Sequence, residues 1–231
     1  MGKGRMAAIR KKSESTRERI INSARKLFAE SGYQKTTVIE IAQEAALSEA
    51  AMYEYFKSKE DLLLTIPDLW VTELLAEMED QLFGVEGAFN KLRKYVWWTF
   101  RRIEQSPMNA KVVYLCLKTN QNFLQSEVYE NVRSLYAKLV QIFEEGRSSG
   151  EMIPDLDPYA ARAIIVGMID HMVTRWLLKD MSYPLFKNVE VTYGLLVKAF
   201  SHPSDIDSAP VDLGDCATGD PEKRNGHKLA K

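Results

Sequence analysis

Side chains that most catalytic and membrane functions need are scarce in this sequence. Only three histidines occur: His171 in an apolar stretch, His202 beside Pro203, and His227 in a polar C-terminal segment. Metal-ligand spacing, a glycine-rich phosphate loop and a nucleophile motif are all missing, which argues against an enzyme and against a bound metal or cofactor. The two cysteines, Cys116 and Cys216, lie far apart in sequence and suit a reducing compartment better than a disulfide framework. No run of 18 or more apolar residues exists, so a membrane-spanning helix is not expected. The basic N-terminus has no apolar segment behind it and does not read as a secretory signal, so the expected location is the cytoplasm. Alternating β patterns of useful length and fixed-period repeats are also missing.

What remains is the composition of a globular helical protein, 45% apolar and 27% charged over 231 residues. Its net charge of −1 conceals a polarity. Residues 1 to 60 hold 12 Lys or Arg against 8 Asp or Glu, whereas the rest hold 19 against 24. A basic end on a faintly acidic body points to an anionic partner for the N-terminal part alone.

Helix starts are marked by a Ser or Thr followed three residues later by an acid, at Ser15 with Glu18, Thr37 with Glu40, and Ser58 with Asp61. Residues 1 to 14 are expected to be a disordered basic arm. The first helix then carries Ile20, Ile21, Ala24, Leu27 and Phe28 on one stripe and ends at Gly32. A short second helix turns Val38, Ile41, Ala42 and Ala45 inward. Ser48 is placed to cap a third helix whose buried side holds Met52 and Phe56. Three helices in about 45 residues, the last two joined by a tight turn, read as a helix-turn-helix. Longer helices are expected at 59–82, 87–105, 108–118, 124–147, 157–180 and 187–201. The segment from 203 to 231 reads as a disordered tail.

The stretch TTVIEIAQEAALSEAAMYEYFKSKEDLL, with ARKLFAESGYQKTT before it, resembles the DNA-binding signature of the TetR family of bacterial transcriptional regulators. The resemblance implies an all-α fold, with a helix-turn-helix domain at 15–60 and a helical ligand-binding and dimerisation domain at 61–202. It further implies a homodimer that binds double-stranded operator DNA and releases it when a small molecule binds. Contacts to bases or phosphates would fall on Thr37, Ile39, Glu49, Ala50, Ala51, Tyr53, Tyr55 and Lys59. The chemistry of those residues agrees. Tyrosine hydroxyls and a lysine suit phosphates, and small alanines let a helix approach the floor of the major groove. Two departures stand out: the turn residue that is usually glycine is Ala46, and the recognition helix carries Glu49 and Glu54 but no Lys or Arg.

In the C-terminal part, Leu92, Val96, Thr99 and Ile103 form one stripe, and Trp97 falls off it. One of Trp97 and Trp98 is therefore expected to line a pocket. The segment AARAIIVGMIDHMVTRWLLKD interrupts an apolar face with Asp170, His171, Thr174 and Arg175. These polar groups leave three readings open: dimer pairing, local pairing such as Asp170 with Thr174, or ligand contact. This segment, with GEMIPDLDPYAARAI leading into it, also resembles the branch of the family that responds to fatty acyl-CoA. A cavity lined by Trp70, Leu74, Trp97, Phe100, Tyr114 and Phe123, with Asp170, His171 and Thr174 as polar contacts, would suit an acyl chain. It would equally suit hydrophobic or cationic drugs and aromatic metabolites, as in regulators of drug efflux. A helical adaptor without DNA binding is the rival class. The last two helices, with Gly167 and Gly194 allowing close approach, are the expected dimer contact.

Overall fold

The computed structural model describes residues 2–201, and all regular structure in that range is helical. The chain runs through α1 (Gly2–Ser31), α2 (Val38–Glu44), α3 (Glu49–Tyr53), α4 (Lys59–Leu82) and α5 (Ala88–Gln105). It continues through α6 (Pro107–Lys111), α7 (Glu127–Ser149), α8 (Pro158–Leu178) and α9 (Val189–Phe200). α6 passes directly into a π-helical turn, Val112–Leu117, and short 3₁₀ turns at Phe123–Gln125 and Leu185–Asn188 precede α7 and α9.

The expected elements are in place, with two differences. Residues 1 to 14 are not an unstructured arm over the described range, because α1 begins at Gly2 and Ser15 lies inside it. The run from Met6 to Lys12 contains strong helix formers and no Pro or Gly, so nothing stops the helix from continuing backward past its first buried residue, Ile20. The long helix expected at 124–147 starts at Glu127 and runs to Ser149, where Gly150 supplies a left-handed C-cap at φ 78°. The tail expected from residue 203 lies outside the described residues.

Two apolar cores form. The first joins α1, α2, α3 and the start of α4, with Ile20, Phe28, Ile41, Met52, Phe56, Leu62 and Ile66 fully or nearly sealed from solvent. It also takes in Val71, Val112, Cys116, Leu117, Phe123, Val128 and Val132 from further along the chain. The second core fills the space between α4, α5, α7, α8 and α9, centred on Tyr95, Phe100, Phe143, Ile165 and Val173. The N-terminal head is therefore not a bead on a string. It shares its interior with the π-helical turn and the start of α7.

Tight packing at one crossing yields a stability prediction. A methyl group on Gly146 would lie 2.6 Å from Met152 Sδ and 2.9 Å from Ala88 Cβ. Met152 can swing away, but Ala88 sits at the first turn of α5 and cannot. Gly146→Ala is expected to destabilise the protein by about 1–3 kcal/mol, the usual cost of overpacking, despite the better helix propensity of alanine. A urea titration that finds the variant equal to or more stable than wild type refutes this.

Candidate nucleic-acid interface and internal cavity

The head presents a helix-turn-helix whose caps come from its own sequence. Thr37 accepts from the Glu40 N–H (3.2 Å) and donates its own N–H to Glu40 Oε2 (2.7 Å), a reciprocal box that opens α2. Those bonds hold the Glu40 carboxyl below the usual carboxylate range. Ser48 Oγ accepts from the Ala51 N–H (3.1 Å) and opens α3. Between them Ala46 N–H bonds to Gln43 O and Leu47 N–H to Ala42 O, the paired bonds of a Schellman turn. The turn requires a left-handed residue, and Ala46 takes that conformation at φ 53°. A left-handed alanine costs roughly 1–2 kcal/mol, partly offset by the freedom a glycine loses on folding. Ala46→Gly is thus expected to stabilise the head by about 1 kcal/mol, read as a raised unfolding midpoint. A lowered midpoint contradicts it.

Of the residues expected to face DNA, Thr37, Ile39, Glu49, Ala50 and Tyr53 are exposed on α2 and α3, Tyr53 at 49%. Ala51 and Tyr55 are half-buried, Tyr55 packing against the head core. Lys59 is placed differently from a free surface cation. Its ammonium donates to the carbonyls of Tyr33 and Thr36, both at 2.9 Å, and lies 4.3 Å from the centre of the Tyr33 ring. Two of its three donors thereby tie the start of α4 to the turn between α1 and α2. The next residue ties α4 the other way. The Glu60 carboxylate accepts from Asn122 (3.0 Å) and Asn120 (3.2 Å) in the segment before α7. These bonds depress its pKa, Asn122 contributing most.

An internal cavity of about 70 Å³ lies in the C-terminal body. Trp70 and Leu74 reach it from α4, Trp98, Thr99 and Ile103 from α5, Tyr114 and Lys118 from the π-helical turn and its end. Phe123, Val132, Leu135 and Tyr136 close it from the α7 side, Val166, Ile169 and Asp170 from α8. Among the described residues three charged side chains line it: Lys118 and Asp170 meet at 2.5 Å, with the lysine also 4.4 Å from the Tyr114 ring centre, and Arg102 pairs with Glu77 at 2.9 Å. Burial, then the Asp170 charge, raise the pKa of the Tyr114 and Tyr136 phenols, which stay neutral. Val71, Phe123 and Val132 belong to the head core and the remaining apolar walls mostly to the body core, so the cavity sits in the seam between the two.

Five of the nine residues expected at the ligand site thus line one cavity: Trp70, Leu74, Tyr114, Phe123 and Asp170. Four do not. Trp97 lies outside against Phe186, its ring flanked by Lys94 and Arg101, while its neighbour Trp98 takes the inner position. Phe100 is fully buried in the body core, one side of α5 away from the cavity. His171 is exposed, on the outward stripe of α8 with Ile164, Gly167 and Leu178. Thr174 is half-buried away from the cavity, and Asp170 pairs with Lys118 rather than with it. Of the pair Trp97 and Trp98, one of which was expected to line a pocket, it is Trp98 that does; sequence reasoning missed Tyr95, Thr99, Lys118 and Tyr136. The spacing of Val132 and Tyr136 along α7, four residues apart on one face, was a usable signal.

A capped helix-turn-helix head joined through α4 to a helical body with an internal cavity defines a helix-turn-helix transcriptional regulator of the ligand-binding type. Residues 20–66 match the family model "Bacterial regulatory proteins, tetR family", and residues 70–199 match "YsiA-like protein, C-terminal region". The chain belongs to the TetR family of transcriptional regulators. The fatty acid metabolism regulator protein of Bacillus subtilis (strain 168) is 31% identical over 166 residues, 72% of this chain and 86% of that one. The crystal structure of the transcriptional regulator FadR from Bacillus subtilis, in complex with stearoyl-CoA, superposes with a TM-score of 0.73 at 30% identity. That match covers 79% of this chain and 98% of the other. The fatty acid degradation regulator FadR from Bacillus halodurans superposes with a TM-score of 0.72 at 27% identity, over 79% and 94% of the two chains. No described helix is long and apolar enough to cross a membrane.

Proposed function

We propose that the protein is a homodimeric repressor that holds a palindromic operator and releases it when a fatty acyl-CoA enters the cavity. The observation that carries this reading is the position of the cavity in the seam between the head and body cores, with α4 as one wall. At about 70 Å³ it is far smaller than the roughly 300–1,000 Å³ of a ligand site, so an acyl chain must push its walls apart. Trp70 and Leu74 lie on α4, which begins at Lys59 and Glu60, so that displacement reaches the head through one helix. Pro67, inside α4, lacks the N–H that would close a helical bond and weakens the rod between the two ends. Effector action requires only that ligand bind the two dimer geometries unequally, typically by about 1–3 kcal/mol.

The wall chemistry supports an apolar effector. Asp170 alone would favour a cationic drug, but Lys118 already neutralises it. In this reading the functional division falls near residue 60, with 15–60 as the DNA-binding head and 61–202 as the effector and dimer body. Tyr53, Ala50 and Glu49 face the major groove, and Tyr55 and Thr37 stand toward the backbone. The exposed Lys11, Lys12 and Arg17 of α1 add the phosphate-binding charge that the recognition helix lacks. Such a regulator works in the cytoplasm, beside the chromosome. The relatives named above are transcriptional regulators too, and no catalytic role is assigned to the cavity.

The test is a gel-shift titration of operator complex with acyl-CoAs of increasing chain length beside a detergent control. Release at micromolar long-chain acyl-CoA, beyond the control, is the expected result. If no chain length changes operator affinity beyond the control, the acyl-CoA assignment is wrong. In the same assay Tyr53→Ala is expected to weaken operator binding by about tenfold with no change in unfolding midpoint, since its ring is half exposed and outside the core. Unchanged affinity across a salt titration contradicts the assigned contact.

A further inference from the structure

We propose that the effector carries an oxygen function on its chain, a hydroxyl or keto group that the unpartnered side chains of Trp70 and Thr99 receive inside the cavity. The proposal rests on the acyl-ligand reading for the chain itself and adds the class of substituent. Trp70 is 4% exposed, and its indole Nε1–H is sealed from solvent with no hydrogen-bond partner among the described residues. Thr99 Oγ1 is sealed and unpartnered in the same way. Both side chains line the one cavity, from α4 and α5.

Neither position is what an apolar site would select. Buried polar groups are almost always paired, and an unpaired one costs free energy that an apolar residue of the same shape avoids. A helical threonine ordinarily satisfies its hydroxyl on the carbonyl four residues earlier, here Tyr95 O, yet Thr99 makes no such bond. Tyr95 nearby does reach a backbone acceptor, Leu135 O at 3.4 Å, so the surroundings do not prevent pairing. A saturated chain entering this cavity would leave the Trp70 donor and the Thr99 hydroxyl unmatched. A hydroxyl can accept from the indole N–H and exchange a bond with Thr99. A keto oxygen can accept from both. Sites built around a hydrogen bond to a ligand oxygen discriminate strongly against the analogue that lacks it.

Calorimetry on the full-length protein with CoA-free probes separates this from the acyl-CoA reading. The probes are dodecanoate and its counterparts hydroxylated near the carboxyl or at mid-chain. The wild type is expected to bind one hydroxylated acid about tenfold more tightly than dodecanoate, the return on one well-made hydrogen bond. Trp70→Phe, which removes the indole N–H, and Thr99→Val, which removes the hydroxyl, should each shrink the ratio of hydroxylated to saturated affinity toward unity, and that ratio within each variant is the readout. Thr99→Val, which exchanges the unpaired hydroxyl for a methyl group of the same shape, should also raise the melting temperature of the ligand-free protein. A wild type that binds all the acids equally, prefers the saturated one, or binds none overturns the proposal, as does a preference that survives in both variants. The CoA thioesters of the same acids are run on the operator complex in parallel. If none releases operator while the hydroxylated free acid keeps its Trp70-dependent advantage, the acyl-CoA reading fails and this one stands.

Discussion

Glutamates at both Leu178 and Leu195 are expected to leave a monomer whose operator affinity is lower by a factor of 100 or more. Leu178 near the end of α8 and Leu195 in α9 are 69% and 63% exposed in the single chain, and Ile164, Tyr159 and Val191 stand out beside them on the same two helices. Gly167 and Gly194 meet nothing within 4 Å on the positions where a side chain would project, so both mark places where another backbone could approach. An uncovered apolar surface on the last two helices is what a two-fold contact would bury. In such a dimer each substitution appears twice, so four carboxylates would have to be desolvated without partners, at several kcal/mol apiece. The folded chain itself should be indifferent, since neither leucine contributes to its core. A dimer offers two recognition helices to half-sites about 34–36 Å apart, and a monomer forfeits the second. Sedimentation velocity at micromolar protein and a gel shift on the same sample measure both effects. Persistence of the dimer with undiminished operator binding would show that these helices are not the contact.

How much of this was legible in the sequence depended on whether a residue's role is set locally. Caps and stripes are local, and Thr37, Ser48, Ser58 and Gly32 fell where the spacing put them. The exception, Ser15, shows the limit of a cap motif: a Ser with an acid three residues on is compatible with a helix start but cannot force one when the preceding residues also favour helix. Ala46 was flagged as a departure from glycine, yet only the backbone reveals that it bears the left-handed strain rather than changing the turn. The cavity was half legible. Periodicity says which face of a helix is apolar, but the core and a cavity wall look alike on that criterion. Phe100 and Trp98 differ by two residues and both are buried, and only the tertiary arrangement sends one to the core and the other to the cavity. Lys118 and Asp170 are 52 residues apart and no local pattern joins them. Thr99 was placed on the apolar stripe of α5, correctly, and its significance came from what it fails to bond.

The segment that pairs Tyr53 and Tyr55 with Lys57 and Lys59 proves to serve two purposes, and separate variants should resolve them. Lys59→Ala removes two charge-assisted bonds that fix α4 to the Tyr33 and Thr36 carbonyls, together with the contact over the Tyr33 ring. Because the side chain is partly solvated, the loss of head stability is expected at about 1–3 kcal/mol rather than the sum of two isolated bonds. Operator affinity should fall by more than tenfold, since the head loses its seat on α4 and, in the proposed complex, the phosphate that the remaining donor of the ammonium would reach. If that phosphate contact exists, the slope of log affinity against log salt also falls by roughly 0.9 per subunit. A fall in stability with an unchanged slope assigns Lys59 to the seat alone. Glu60→Ala should behave oppositely. Its carboxylate holds Asn120 and Asn122, two and four residues beyond the cavity residue Lys118, so it links α4 to the wall that an effector would displace in the proposed mechanism. The variant is expected to bind operator within about threefold of wild type while needing several times more effector for release, because the coupling energy rather than the binding site is reduced. The pH dependence has a defined sign. Because the folded-state pKa of Glu60 is depressed, the brace contributes fully above the ordinary carboxylate pKa and is lost as pH falls through the lower folded value. It therefore persists unchanged across neutral pH. An effector response in Glu60→Ala equal to wild type would show that the coupling runs through α4 without this brace.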